Sequence, residues 1–136
     1  MVKRFPGLLV GCLLLSGCGG QKSDLISLAK QMDALVNAND LDGFAKLLSD
    51  DVVTKTPDGS VISGKEAVQK WIAGLMPGFH VESKCWQQSG DTVTWESSVQ
   101  SDAFAKMGVN PAEFNTMAVY SGGKLHYFWP AFTQQT

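Results

Sequence analysis

The chain has 136 residues, 44% of them hydrophobic and 18% charged, with 11 basic against 13 acidic side chains and a formal net charge of −2. That length suffices for one compact domain with a core and is too short for two. Acids and bases are interspersed rather than gathered in blocks, which excludes the basic face that a nucleic-acid partner requires.

Lys3 and Arg4 precede an apolar run from Phe5 to Leu15. The run is too short to span a bilayer as a stable helix and suits the core of a signal peptide. Small residues at Ser16 and Gly17 follow, then Cys18. Leu15-Ser16-Gly17-Cys18 resembles the lipobox of bacterial lipoproteins. The resemblance implies that residues 1–17 are removed and that a diacylglycerol is attached to the Cys18 sulfur, with the membrane as partner and the cell envelope as location. Several acyl chains hold firmly where one anchors marginally, since each buried methylene contributes about 0.8 kcal/mol. Gly19 stands where an aspartate would retain a lipoprotein, so in a cell with an outer membrane the expected place is that membrane, facing the periplasm. Cleavage takes Lys3 and Arg4 away, which brings the formal charge to about −4 and leaves 119 residues. Cys12 leaves with the signal and Cys18 is lipidated, so no disulfide framework is expected, and Cys85 reads as a small buried strand residue rather than a nucleophile.

Residues 18–23 are expected to form the lipidated cysteine and a short tether, of which Gly19 to Ser23 reach at most about 17 Å. The domain proper is expected over 24–136. Ser23 is placed to cap a helix in which Leu25, Ile26, Leu28, Ala29, Met32, Leu35 and Val36 recur at three and four spacing. Asn37-Ala38-Asn39 ends it, and Asp40 caps a shorter helix with Leu41, Phe44, Leu47 and Leu48 on one side, so 24–49 reads as a helical pair. Val52 to Thr56 reads as a strand, turned by Pro57-Asp58-Gly59-Ser60 into a short return strand at Val61-Ile62. Ser63 and Glu66 have the spacing of a capping box before a third helix, which Pro77-Gly78 stops.

From Phe79 the apolar period changes to two, predicting strands over 79–88, 92–101, 112–121 and 124–133, with a tight turn at Gly122-Gly123. Asp102 to Pro111 reads as a short helical flap between the second and third of them. Pro130 cannot donate to a ladder, so the last strand is expected to end or bulge near it. No repeat, low-complexity tract or second hydrophobic span is present.

In order and spacing, Asn39-Asp40-Leu41-Asp42-Gly43-Phe44, Leu47 to Val53, Ser63-Gly64-Lys65-Glu66-Ala67-Val68, Gly90-Asp91-Thr92-Val93 and Gly122-Gly123-Lys124-Leu125 resemble the SnoaL-like branch of the NTF2-like superfamily. The resemblance implies an α+β cone in which a curved antiparallel sheet wraps N-terminal helices around a cavity. That fold carries isomerases, cyclases, epoxide hydrolases, dehydratases and many non-catalytic domains, so it does not choose a function.

Parity across the hairpins predicts which side chains face inward. His80, Glu82, Lys84, Trp86 and Gln88 fall with Val93, Trp95, Ser97 and Val99. In the last hairpin Phe114, Thr116, Ala118 and Tyr120 fall with Leu125, Tyr127 and Trp129, and Met117, His126 and Phe128 take the other side. With the cavity that the resemblance implies, the expected ligand-binding set is Trp71, Trp95, Tyr127 and Trp129 under the flap residues Phe104 and Met107. Titratable candidates are His80, Glu82, Glu96 and His126, with Tyr127 a possible oxyanion donor. The ketosteroid-isomerase-like members use a tyrosine and acids, and the epoxide hydrolases an acid, an arginine and an acid. No arginine follows Arg4, which argues against the second scheme. Metal-binding, phosphate-binding and nucleophile-elbow motifs are absent from the sequence, so no metal and no cofactor is expected. The leading expectation is a membrane-anchored domain that binds a small apolar or amphipathic ligand without turnover. Alternatives are a cofactor-independent pocket enzyme, and an interaction or homodimerisation module of the envelope.

Overall fold

The computed structural model describes residues 24–56 and 58–133. The signal peptide, the Cys18 site, the tether and the Ser23 cap lie outside the described residues. Helix α1 (Asp24–Asn37) buries Ile26, Ala29, Met32 and Val36, the stripe its spacing predicts. Asp40 caps α2 (Leu41–Lys46) by accepting the Gly43 amide at 2.9 Å. This helix stops earlier than expected. Leu48 pairs with Leu125 and opens β1 (Leu48–Lys55), so strand pairing overrides the helical spacing of Leu47 and Leu48. Strand β2 (Val61–Ser63) returns antiparallel to β1. Helix α3 (Lys65–Leu75) starts from Gly64 with no side-chain cap. The expected Ser63–Glu66 box does not form, because Ser63 is held in β2 opposite Val53.

The remaining elements are β3 (His80–Ser89), β4 (Thr92–Gln100), the flap helix α4 (Asp102–Lys106), β5 (Ala112–Ser121) and β6 (Lys124–Phe132). They close one six-stranded sheet in the order β2-β1-β6-β5-β4-β3. Among the described residues only the β1–β6 pairing is parallel. Gly122 and Gly123 both take positive φ, 59° and 78°, which a two-residue hairpin of this hand requires. The helices lie against one face of the sheet, and Val52, Val93, Trp95, Phe114, Ala118 and Leu125 meet Met32, Phe44, Val68 and Ile72 in one continuous core.

Two bulges decide which side chains enter that core. In β3 the register slips between Lys84 and Gln87, where Cys85 sits at φ 61°. One extra residue reverses parity. Val81 and Ser83, rather than the expected His80, Glu82 and Lys84, therefore share the inner face with Ser97 and Val99, while Trp86 beyond the bulge still points inward and stacks on Trp95 at 4.9 Å. In β6 the register slips at His126, so Phe128 and Pro130 lie opposite Ala118 and Thr116, and Tyr127 and Trp129 turn outward opposite Val119 and Met117. Pro130 does not end the strand, which runs on to Phe132. The pairing with β1 extends to Thr54–Phe128, so beyond it the missing amide of Pro130 deprives no neighbour on that side.

Candidate functional site

A cavity of about 70 Å³ remains between the helices and the inner sheet face. Trp95, Val99, Phe114, Phe128 and Pro130 line it from the sheet, Met32, Asp33 and Val36 from α1, Trp71 and Leu75 from α3, and Phe104 from the flap. Trp95 is almost fully buried, so its indole serves as core and wall together. Trp71, Leu75 and Phe79 are partly exposed and form the rim. Of the sequence-derived ligand set, Trp71, Trp95 and Phe104 come together here. Tyr127 and Trp129 lie on the outer face, where the Lys55 ammonium sits 4.3 Å from the Trp129 ring centre, and Met107 is 60% exposed at the end of the flap.

The four titratable candidates do not reach the cavity. His80 and Glu82 pair with each other at 3.2 Å on the outer face, Glu96 is exposed beside Lys84, and His126 at the β6 bulge is 3.4 Å from Asp51. The titratable side chain on the cavity wall is Asp33. Its position after Met32 places it at the margin of the buried stripe of α1. One of its carboxylate oxygens accepts from the Ser83 hydroxyl, and Ser83 Oγ is 3.3 Å from Ser97 Oγ. The β3 bulge brings Ser83 onto the inner face beside Ser97. Burial pushes the Asp33 carboxyl up to about 6, against the opposing effect of the Ser83 hydrogen bond. A carboxyl poised there can take up or release a proton near neutral pH. Close by, the Tyr120 hydroxyl donates to Met32 Sδ at 2.8 Å, and its phenol is held neutral by burial and then by the charge of Asp33. Asn37, one turn after Asp33, clamps Val81 by accepting its amide at 2.8 Å and donating to its carbonyl at 2.9 Å, which fixes α1 against β3.

Asp33 escapes sequence reasoning because parity without the bulge puts Ser83 on the wrong face, and an acid on the shoulder of an amphipathic helix reads as solvated. The signal that would have found it is Asn37, a second polar residue on the same helical side one turn away.

A helical pair, a third helix and a strongly bent sheet around a carboxyl-bearing apolar cavity agree with what the comparison with family models finds. The SnoaL-like domain model matches residues 29–122. The chain belongs to the SnoaL-like family. Among solved structures, an NTF2-like protein of unknown function from Cytophaga hutchinsonii superposes with TM-score 0.70 at 11% identity, covering 82% of this chain and 92% of that one. A candidate ketosteroid isomerase from Kribbella flavida gives 0.68 at 12% identity over 82% and 79%. A candidate polyketide cyclase from Sinorhizobium meliloti gives 0.66 at 14% over 76% and 93%. At these identities the likeness is one of fold. No curated protein matches the sequence.

Proposed function

We propose that this SnoaL-like domain is tethered to a membrane through a lipid on Cys18 and holds a small apolar or amphipathic molecule in its cavity without converting it. The observation that carries the reading is an unfilled apolar space beside one half-buried carboxylate, where neighbouring core positions are filled by side chains. Its size sets the ligand. At about 70 Å³ it has under half the ~150 Å³ of an engineered apolar cavity that takes benzene, so it accepts a short alkyl group or the end of a longer one whose remainder passes the Trp71, Leu75 and Phe79 rim. Thermal unfolding of the soluble domain (24–136) with a panel of short alcohols, ketones and fatty acids tests this. Stabilisation that grows with ligand concentration is expected, and a panel in which none raises the Tm would remove the reading.

A second reading is favoured by the outer sheet face, where Tyr127, Trp129, Met117 and Val119 stand together half-exposed. Such a face suits a second copy of the chain or an envelope protein. Sedimentation at high protein concentration tests the first version, and a strict monomer would exclude it.

A further inference from the structure

We propose that the cavity recognises an alkylammonium group, a short apolar amine carrying its proton, with the Asp33 carboxylate as its counter-ion and the surrounding rings as its wall. The proposal rests on the ligand-binding reading above and names the ligand class. Three observations converge on it. Among the described residues lining the cavity there is one charged group, Asp33, and there is no lysine, arginine or histidine to neutralise it. Ser83 is its sole hydrogen-bond partner among the described residues and engages one carboxylate oxygen, which leaves the other for a ligand. The remaining polar wall, Ser97 and Thr116, consists of hydroxyls able to accept, whereas the wall around them is rich in ring faces, including Trp71, Phe79, Trp95 and Phe128. Ring faces and a carboxylate both attract a cation, and the attraction grows when water is excluded. A neutral ligand would instead bury Asp33 further without compensation, and an anionic one would repel it.

The groups that face Asp33 are Ser83 from β3, Ser97 from β4 and the neutral Tyr120 phenol from β5, while α3 presents Trp71, Ile72 and Leu75. Lys30, on the same helix, lies over the Trp86 ring at 5.8 Å. Asp33 is thus the cavity group whose ionisation governs binding across pH 5 to 8, and because it titrates near 6 the amine binds more tightly as pH rises through that value. A neutral ligand shows the reverse slope.

The test titrates the full chain in phosphatidylcholine nanodiscs with n-butylammonium, n-butanol and butyrate, followed by tryptophan fluorescence. At pH 8 n-butylammonium is expected to bind about tenfold more tightly than n-butanol, the scale of one charge-assisted hydrogen bond. The preference should disappear in Asp33→Asn and persist in Ser83→Ala, which keeps the carboxylate. If Asp33→Asn does not fold, the pH slopes of the unaltered chain decide the matter. Equal affinity for amine and alcohol, or parallel pH slopes, would overturn the proposal while leaving the cavity a binding site. Silence from all three probes would overturn the ligand-binding reading and this proposal with it.

Discussion

At the scale of single residues, Asp33 makes a prediction that runs against the usual behaviour of carboxylates. Folded, it holds its proton up to about pH 6, whereas unfolded it releases it near 3.8. Between those values the folded chain binds more protons, so stability falls as pH rises and levels off above 6. The difference corresponds to about 3 kcal/mol at most. Asp33→Asn keeps the shape and abolishes the ionisation. Its Tm should exceed that of the unaltered protein at pH 8 and equal it below pH 3.8. A variant that is less stable at pH 8 would mean that something compensates the charge. Trp95 makes the complementary case, because an indole that is at once core and cavity wall resists removal. Trp95→Ala should cost about 3 to 5 kcal/mol in urea unfolding.

At the scale of elements, the two bulges carry the sharpest prediction. Phe128→Ala opens the core and should cost about 3 kcal/mol, whereas Trp129→Ala one residue later should cost about 1 kcal/mol or less, losing an outward ring under Lys55. Reversed urea midpoints would place the β6 slip elsewhere. Helix faces, turns and strand limits were largely legible in the chain, because Asp40, Pro77-Gly78 and Gly122-Gly123 act locally and apolar spacing repeats often enough to average out noise. Facing within the sheet was not. Parity is a running count, and a single inserted residue at Cys85 or His126 changes the sign of everything on one side of it, with no local residue preference to announce it. The cavity set that the family resemblance implies therefore keeps Trp71, Trp95 and Phe104, while Tyr127, Trp129, Ser83 and Phe128 stand on faces opposite to those that uninterrupted parity gives, and Asp33 falls outside that set. The Ser63–Glu66 pair failed for another reason, since a capping motif loses when its first residue is already committed to a strand.

For the whole molecule, the proposed anchor and the proposed cavity are separable. Replacing Cys18 with alanine should abolish labelling by radioactive palmitate and move the protein out of the membrane fraction, while the purified domain keeps its Tm and its ligand response. Retention in the membrane with undiminished labelling would contradict anchoring at that residue. The Asn37 clamp on Val81 has a further consequence at this scale. Each border of the sheet is a potential template on which a foreign chain could grow by backbone pairing. One border, β2, is three residues long, and the other is occupied at Val81 by a side-chain amide that mimics a neighbouring strand. Sideways polymerisation into fibrils is thereby obstructed at both flanks.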